Sequence, residues 1–445
     1  MTSTSPLDIE KVNDGLASVA AAAPVPLQHF TLDNGLSVYL REDLGTSLAA
    51  VQLWVHVGAS HEPVGHSNLS HLLEHLVFEG SSKLAAGQFS RVIARLGGSS
   101  DAVTLDDATA YQMMLPAARL PIALEIMADA MSTATFGQPE MGQGVKAVED
   151  EYRLKFASNV REQAYNQHDM LAHGESAYAT PSFGYPADLK NIKLETLRTW
   201  YRTWYHPNNA TLVVVGNVAL STLRLHVSRY FTSLPRAPLA KPPIPRHGSV
   251  PYERKHTVAL PALSNGVRMS FNVPSCATAL DPTLAPTLEL ICDMLGKGDS
   301  SLLYSDLVRE RRLISNVSVN YDPLVRGDTL LTTTAAVNTS NATPEQAAEA
   351  IYQMIAELRL APLSSEELER AKLRMLTRRL FSLDDLEGQA TRISAAAAAG
   401  LSPSVLDQEA RIIGSLNSAT VQSVALAYLG RERLTITYFQ PGAAA

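Results

Sequence analysis

Two histidines and a glutamate with the spacing of a metal site lie in the segment HSNLSHLLEH, residues 66 to 75. His71 and His75 are four residues apart, so on a helix they project from one face and can share a metal ion. Two imidazoles and one carboxylate, with a fourth position left to water, form a catalytic rather than a structural zinc site. Glu74 is placed to act as the general base on that water. The alternative is a solvated helix face on which these residues have no role.

The other histidines nearby and the cysteines do not complete this cluster. His56, His61 and His66 share no helical face with the pair, so we interpret them as surface or loop residues. Cys276 and Cys292 are too few for a disulfide framework and lack the spacing of metal ligands, so we expect buried thiols. A third metal ligand must therefore come from another part of the chain.

The bulk composition is typical of a soluble globular protein. The chain has 445 residues, of which 46% are hydrophobic and 18% charged, and this excludes the disordered and membrane-embedded classes. The net charge of -7 is modest and the basic residues are scattered, so we expect no nucleic-acid partner and no membrane partner. Residues 1–26 lack the basic segment of a secretory signal. We therefore expect a cytoplasmic location, or a periplasmic one if a signal has been removed.

Strand and helix patterns follow each other in the same order twice along the chain. Residues 28–60 alternate as strands do, with a hairpin turn at Asp33-Asn34-Gly35, and residues 211–218 form an apolar run typical of a buried strand. Apolar residues at three- and four-residue spacing predict helices at 67–80, 119–135 and 140–158. The repeated order after residue 254 indicates an internal duplication.

A proline-rich segment separates the two stretches. Six prolines lie between Leu234 and Arg254, which predicts an extended surface linker. The chain is also longer than one hydrophobic core usually serves. We therefore predict an N-terminal extension (1–27), a metal-bearing domain (28–233), the linker (234–254) and a second, similar domain (255–445). Strands followed by helices favour an α+β class, in which each domain is a mostly antiparallel sheet covered by helices.

Several longer motifs accompany the metal pattern from about residue 28 to the end of the chain. They are LDNGLSVYL, VQLWVHVGAS, HLLEHLVFEGS, DAVTLDDATAYQ, AVEDEY, YHPNNATLVVVGNV and SSLLYSDLVRERR. With these motifs the chain resembles the pitrilysin (inverzincin) family of zinc metallopeptidases, in its short type that includes mitochondrial processing peptidase subunits and bacterial heterodimeric homologues. The resemblance implies two similar α+β domains that form half of a clamshell, which closes around the substrate when a second such chain pairs with it.

The resemblance also implies the third zinc ligand. In the family it is a glutamate of a V-x-x-E segment on a separate helix, and Glu151, 76 residues after His75, fits that spacing. Glu149 is the alternative, but two helix residues this close point about 200° apart, so both cannot face the metal. The family often has a supporting glutamate seven residues earlier, where this chain has Gly144. We therefore expect the surroundings of the zinc to be weakened or rebuilt.

The resemblance implies a substrate-binding strand near the metal. Asp101, Ala102 and Thr104 match the family's N-A-x-T stretch, an edge strand that pairs with the substrate backbone, although Asp101 replaces the asparagine. Strand addition depends chiefly on main-chain groups, so this mode of binding can survive the replacement while the preference at one subsite shifts. The alternative is a plain turn that leads into a strand.

The second half departs from the family at a position that matters for catalysis. Arg309 matches the arginine of the family's L-R-x-x-x-G-L-x-Y segment, but Leu313 replaces the glycine and Asn316 replaces the tyrosine. Losing a donor to the developing oxyanion commonly costs about 100-fold or more, and asparagine is too short to replace it. In the clamshell that tyrosine belongs to the partner chain. The resemblance thus implies a heterodimer with an unlike homologous subunit that supplies the arginine and tyrosine, with a homodimer as the alternative.

The function expected from these motifs is that of a zinc metalloendopeptidase subunit. Zn²⁺ polarises the scissile carbonyl while Glu74 takes a proton from water and passes it to the leaving amine. Its substrates would be peptides or unfolded small proteins that enter a closed dimer chamber. The alternatives are a non-catalytic scaffold and a subunit of the same fold that holds peptides without cutting them.

Overall fold

Two β-sheets organise the chain in the computed structural model, which describes residues 25–181, 183–248 and 252–443. The strands are β1 (Gln28–Thr31), β2 (Ser37–Glu42), β3 (Leu48–Val55), β4 (Ser99–Thr104), β5 (Thr109–Pro116), β6 (Ala210–Gly216), β7 (Arg254–Leu260), β8 (Gly266–Val273), β9 (Ile314–Tyr321), β10 (Thr329–Val337) and β11 (Leu434–Pro441). The first sheet has the order β1-β2-β6-β3-β5-β4, and the second has the order β7-β11-β8-β10-β9. Most of the predicted N-terminal extension, up to residue 24, lies outside the described residues.

The two sheets share one topology. Strand β2 pairs with β6 in parallel, as β7 pairs with β11, and the other pairings in both sheets are antiparallel. The strands β2, β6, β3, β5 and β4 of the first sheet thus correspond in order to β7, β11, β8, β10 and β9 of the second. The prediction of two similar α+β domains with mostly antiparallel sheets is confirmed. The matched order also supports an internal duplication.

Helices cover both sheets. They are α1 (Leu69–Val77), α2 (Phe89–Arg95), α3 (Leu120–Thr133), α4 (Gln138–Glu151), α5 (Val160–His173), α6 (Pro186–Leu189), α7 (Leu194–Trp204), α8 (Leu220–Phe231), α9 (Leu284–Gly296), α10 (Pro344–Leu360), α11 (Ser365–Phe381), α12 (Leu386–Ala398), α13 (Glu409–Ser415) and α14 (Ser418–Tyr428). The three predicted helices in the first half correspond to α1, α3 and α4. The third ends early, because the chain widens into a π-helical segment at Tyr152–Ala157. In the described part of the chain, no helix is both long and apolar enough to cross a bilayer.

Each half has its own hydrophobic core between its sheet and its helices. In the first half, the apolar face of α1 is buried in this core through Leu69, Leu72, Leu73 and Leu76. Burying side chains of this size contributes about 1.5–3 kcal/mol each, so packing fixes which face of α1 turns away from the core. Residues 235–248 form neither helix nor strand. The domain boundaries at 28, 234 and 255 stay a prediction.

The two halves exchange helices. Helix α12 of the second half packs on β3 and β6 of the first sheet, where Ala390 and Ile393 meet Ala50 and Val213. Helix α5 of the first half packs in the same way on β7, β8 and β11 of the second sheet. Each sheet thus has its own helices on one face and a helix from the other half on the opposite face. The halves are therefore joined by two apolar interfaces as well as by the linker.

Polar contacts accompany this exchange. His168 of α5 is fully buried, and its Nδ1 and Nε2 atoms lie 2.7 and 2.8 Å from the hydroxyl oxygens of Thr437 and Ser270. A second, partly buried link joins Arg326, which precedes β10, to the Asp107 carboxylate before β5. The backbone N–H and the Nε–H of Arg326 donate to this carboxylate. Burial lowers the pKa of His168 well below its ordinary value of 6.5, and the nearby Arg268 charge lowers it further. His168 is therefore neutral in the folded protein at neutral pH.

We predict that acid lowers the free energy of unfolding of the protein through His168, which lies between the two halves. Below pH 6.5 the unfolded chain binds a proton there that the folded chain does not, so the free energy of unfolding falls with falling pH. This slope is at most about 1.4 kcal/mol per pH unit for one histidine. His168→Gln, which stays neutral, should flatten the slope in urea unfolding measured between pH 7 and 5. The exposed His256→Gln is the control, and an unchanged slope in His168→Gln would contradict the prediction.

Candidate metal centre

Helix α1 directs two imidazoles toward one point outside the core. Its buried leucines fix the opposite face, so His71 and His75 project from the helix together. Their Nε2 atoms are 3.3 Å apart. Burial lowers the pKa of His71 to about 4, helped by the neighbouring His75, and burial also lowers the pKa of His75. Both rings are thus neutral at neutral pH, which is the state in which imidazole binds a metal.

The last residue of α4 brings a carboxylate to the same point. Glu151 Oε2 lies 3.8 Å from His71 Nε2, and Glu151 Oε1 lies 3.7 Å from His75 Nε2. Burial opposes ionisation of Glu151, but the hydrogen bond from Lys155 and the nearby charges outweigh it, so its pKa is lowered. Glu149 is exposed on another side of α4. Of the two glutamates considered from the sequence, Glu151 is the one beside the histidines.

The distances between these atoms fit a zinc ion. Zinc bonds of about 2.0–2.1 Å in a tetrahedron separate the ligand atoms by roughly 3.4 Å. The two imidazole nitrogens and the Glu151 oxygens are separated by 3.3 to 3.8 Å. The ammonium of Lys155 lies 2.9 Å from Glu151 Oε2 and would have to leave that oxygen if the oxygen bound a metal. Two neutral imidazoles and one carboxylate are also the donor set that catalytic zinc uses.

Glu74 borders the same space from within α1. An oxygen of its carboxylate and one nitrogen of each histidine all lie within 4.8 Å of one another, so two carboxylates are near the candidate metal position. Thr104 Oγ1 donates a hydrogen bond of 2.7 Å to Glu74 Oε2. Burial raises the pKa of Glu74 to about 7; the Thr104 bond opposes this shift and the Glu151 charge adds to it. A carboxyl with a pKa near 7 can both take and give a proton at neutral pH.

Residues that sequence reasoning missed hold α1 in place. The Glu62 carboxylate accepts hydrogen bonds of 2.7 Å from the backbone N–H groups of Asn68 and Ser70, at the start of the helix. Trp200 Nε1 donates to Ser70 Oγ at 3.2 Å. A carboxylate at a helix N-terminus satisfies open N–H groups and favours the helix dipole. No sequence signal identified Glu62, because it lies outside the N-cap position that capping motifs describe.

Gly144 occupies the position where a supporting glutamate is expected, and it lies where α4 packs closely against α1. Gly144 of α4 is buried against α1, and a Cβ there would lie 3.0 Å from Leu72 Cδ1 and 3.3 Å from Leu76 Cδ2. A longer side chain would therefore push α4 away from α1. The replacement of the family's glutamate by Gly144 thus accompanies a close approach of the two helices that carry the candidate metal ligands.

The predicted substrate strand lies at the open edge of the first sheet. Asp101, Ala102 and Thr104 belong to β4, which pairs with β5 on one side only. Asp101 is exposed, whereas Ala102 and Thr104 are half-buried. The bond from Thr104 to Glu74 joins this edge directly to the metal centre. The alternative of a turn leading into a strand is wrong for residues 101 to 104, because all four lie within β4.

Arg309 is placed apart from these residues in the second half. It lies in a second π-helical segment, Tyr304–Glu310, where its guanidinium is 3.4 Å from Asp299 and stands over the Tyr304 ring. Asn316 is exposed on β9, the edge strand that corresponds to β4. The structure thus does not bring Arg309 into contact with the metal centre of its own chain, as expected if it acts on a neighbouring chain.

One expectation about the other histidines and the cysteines needs correction, that for Cys276. His56 and His61 follow β3 outside the strands, as expected for loop residues, and both are half-buried; burial lowers the pKa of each to about 4. His56 contacts the Thr211 hydroxyl at 3.0 Å. Cys292 is buried as expected, whereas Cys276 is half-buried. Both cysteines are free.

Two profiles of one known family match this chain. The profile described as insulinase (peptidase family M16) matches residues 37–174, and the profile described as peptidase M16 inactive domain matches residues 191–375. The first match contains the metal centre and the second contains Arg309. The chain is a short member of the M16 (pitrilysin) family.

Similar proteins include several named zinc proteases. The zinc protease PqqE of Helicobacter pylori is 26% identical over 366 residues, 80% of each chain, and the uncharacterized zinc protease YmxG of Bacillus subtilis is 24% identical, over 82% of this chain and 87% of that protein. The crystal structure of a protease from Helicobacter pylori covers 94% of this chain and all of that chain with a TM-score of 0.85 and 24% identity. A peptidase M16 inactive domain from Pseudomonas fluorescens has a TM-score of 0.82 at 18% identity, over 94% of this chain and 99% of that chain. The fold is that of one half of the M16 clamshell.

We predict that the site depends on the small size of Gly144. Gly144→Glu should separate α4 from α1 and bury a charge, lowering the free energy of unfolding by at least about 2 kcal/mol and reducing bound zinc. Gly144→Ala is the matched control, because the strain against Leu72 is offset by a gain of about 1 kcal/mol in helix propensity. Urea unfolding and metal analysis measure both effects. A Gly144→Glu protein with unchanged stability and zinc content would show that the helices leave room for a side chain.

Proposed function

We propose that this chain is the zinc-carrying, catalytic subunit of a metalloendopeptidase. The observation that carries the proposal is the convergence of His71 and His75 on α1 with Glu151 at the end of α4, within 3.8 Å of one another. Membership of the M16 family and similarity to named zinc proteases support the same activity. We also propose that the protein is cytoplasmic.

In the proposed reaction, His71, His75 and Glu151 would hold the zinc. Zinc bound there would supply a Lewis acid for the scissile carbonyl and would lower the pKa of a water molecule. Glu74 accepts the proton from the attacking water on its carboxylate and transfers it to the leaving amine. The hydroxyl of Thr104 keeps one carboxylate oxygen of Glu74 in position. Glu74 is assigned the base and Glu151 the ligand, because burial raises the pKa of Glu74 to about 7, whereas the pKa of Glu151 is lowered and its position matches the family spacing.

Substrate would bind as an added strand at the edge of β4. Asp101, Ala102 and Thr104 present main-chain groups there, and strand addition places an extended peptide beside Glu74. Extended binding requires an unfolded segment. We therefore propose peptides and unfolded small proteins as substrates, cut inside the chamber of a closed dimer.

A scaffold or peptide-holding role is the competing function. The inactive-domain profile favours it only for residues 191–375, which begin in the first half after the metal-site residues and run into the second half. The helix there that corresponds to α1 is α9, which carries Glu289, Cys292 and Asp293 but no histidine. The first half keeps the whole set of ligands and base, so the catalytic role is favoured for it.

We further propose a heterodimer. Asn316 holds the position of the family's tyrosine, and neither it nor Arg309 contacts the metal centre of this chain. A relative, the mitochondrial-processing peptidase subunit beta of Rattus norvegicus, is itself named as a subunit; it is 27% identical over 215 residues, 47% of this chain and 44% of that protein. An unlike homologous subunit would supply the arginine and tyrosine to the site described above.

Glu74→Gln should keep zinc and abolish cleavage, whereas His71→Ala should lose both. A glutamine cannot accept the proton, and general-base loss commonly costs about 100- to 10,000-fold. Metal analysis gives the zinc content, and a fluorogenic peptide assay gives the rate. His256→Ala, which removes an exposed histidine of β7, should change neither. An active Glu74→Gln protein would defeat the assignment of the base, and a zinc-free wild-type protein would favour the scaffold.

The purified chain alone should bind zinc but turn over peptides slowly. Adding the unlike subunit that copurifies with it from the native cell should raise the rate by about 100-fold or more, since an oxyanion donor is worth that much. Size-exclusion chromatography with light scattering identifies the assembly that forms. Full turnover by the chain alone would refute the heterodimer and leave the homodimer.

A further inference from the structure

The turns of two corresponding hairpins meet between the halves. The hairpin β4–β5 of the first sheet and the hairpin β9–β10 of the second occupy matching places in the two strand orders. Arg326, in the connection between β9 and β10, donates from its backbone N–H to Asp107 Oδ2 at 2.9 Å and from its Nε to Asp107 Oδ1 at 3.1 Å. Asp107 lies in the turn between β4 and β5. We call these two residues the turn pair.

The guanidinium of Arg326 also bonds two other segments. Its Nη2 donates to Ser60 Oγ at 3.1 Å, and its Nη1 donates to the Pro243 carbonyl oxygen of the linker at 2.7 Å. Ser60 Oγ in turn donates to Asp107 Oδ1 at 2.9 Å. A planar guanidinium offers five N–H donors in a fixed arrangement, so one side chain can hold three partners at once. Arg326 thus joins the second half to the linker and to two segments of the first half.

The turn pair is mostly shielded from water. The side chains of Arg326 and Asp107 are 14% and 9% exposed. The Tyr178 hydroxyl also donates to Asp107 and accepts a hydrogen bond of 2.8 Å from the backbone N–H of Gly327. Exposed ion pairs contribute little, but removing one partner of a shielded pair leaves the other charge uncompensated. The turn pair therefore fixes the position of the β4–β5 turn strongly.

Both first-half segments lead directly to the metal centre. Asp107 follows Thr104 by three residues, and the Thr104 hydroxyl donates to the Glu74 carboxylate. Ser60 precedes Glu62 by two residues, and the Glu62 carboxylate bonds the N–H groups at the start of α1. Two backbone hydrogen bonds of 3.0 and 2.8 Å also connect the segment around residue 60 with the β4–β5 turn. The turn pair thus lies where a displacement would change the placement of β4 relative to α1.

We propose that Arg326 is a positioning residue, which holds the substrate strand β4 in register with Glu74 on α1. This inference rests on the proposed function, because it concerns a peptide that is bound to β4. A peptide paired with β4 moves with that strand, and a displacement of about 1 Å from the reacting group can cost about 100-fold in rate. Pairing with the strand edge depends on main-chain groups, so binding itself survives the displacement. The second half therefore supports cleavage on its own chain through Arg326, separately from Arg309.

Arg326→Met should lower kcat by about 10-fold or more and leave KM within about twofold. Methionine keeps an apolar stem but none of the N–H donors of the guanidinium. The enzyme is the full chain with zinc and its partner, and the rates come from a fluorogenic peptide assay. The matched control is Arg246→Met, which removes an exposed guanidinium that bonds Asp328 near the same turn, and it should change neither constant.

A merely structural role would lower the fraction of folded enzyme instead. Zinc content and the stoichiometry of peptide binding should therefore stay at wild-type values in Arg326→Met. A fall in kcat that only matches a loss of zinc-loaded, peptide-binding protein would overturn the proposal.

A double-mutant cycle tests whether the turn pair acts as one unit. Asp107→Asn should also lower kcat, and Arg326→Met combined with Asp107→Asn should lower it by no more than about twofold beyond the larger single effect. Effects on kcat that multiply would contradict a shared role. If Arg326→Met does not fold, Arg326→Lys replaces it in this cycle. The lysine keeps the charge beside Asp107 but cannot bond Ser60 and Pro243 in the same geometry, so a folded Arg326→Lys protein with wild-type kcat would overturn the proposal.

Hydrogen exchange separates this proposal from the proposed function. In the purified full chain, backbone amides of residues 58–62 and 105–108 should exchange faster in Arg326→Met and at the wild-type rate in Arg246→Met. If no wild-type assembly cuts any peptide, the proposed function fails, while the exchange rates still show whether Arg326 holds the two segments. If peptides are cut and Arg326→Met leaves kcat unchanged, the positioning role fails and the peptidase stands.

Discussion

The close packing of α1 against α4 is the constraint on which the metal centre depends. The two helices are separated by two strands and two other helices along the chain, so only tertiary contacts bring Glu151 to the histidines. Those contacts are the apolar side chains of Leu72 and Leu76 on one helix and the bare backbone of Gly144 on the other. A gap of one methylene at this contact would shift the Glu151 carboxylate by more than the tolerance of a zinc bond. The apolar contact between α1 and α4 thus determines the distance between the Glu151 carboxylate and the two histidines.

Burial gives the residues of the centre different protonation states. It lowers the pKa of both histidines and raises that of Glu74, while Lys155 and the nearby charges lower the pKa of Glu151 despite its partial burial. Two chemically identical carboxyl groups therefore differ in their readiness to hold a proton. Such a division between neighbouring acids is how one site obtains both a ligand that stays ionised and a group that exchanges protons. The hydrogen bond from Thr104 reduces the shift at Glu74, and it does so from the strand proposed to bind substrate.

Local patterns in the sequence predicted the helices of the first half, and the resemblance pointed to Glu151, the carboxylate that the structure places beside the two histidines. The apolar spacing of residues 67–80 is local information, and a helix follows from it directly. The preference for Glu151 over Glu149 needed the spacing known from the family, because both lie on one helix. The close approach at Gly144 was not predicted, because a glycine gives no signal of which helix packs against it. The contact of His56 with Thr211 and the hydrogen bonds of Glu62 to the start of α1 also depend on tertiary structure that no local sequence period encodes.

The exchange of α5 and α12 between the halves was equally invisible in the sequence, and it explains why a duplicated fold can specialise. Both sheets have the same strand order, yet α1 carries the imidazoles and the corresponding α9 does not. Each sheet is covered by a helix from the other half. The second half is therefore needed for the fold of the first, even though its α9 carries no histidine. The polar contacts of His168 with Thr437 and Ser270 hold α5 on the second sheet, and α5 begins three residues after the π-helical segment that follows Glu151. The second half thus supports the helical stretch that ends in the proposed zinc ligand, which is a physical reason for the chain to retain it.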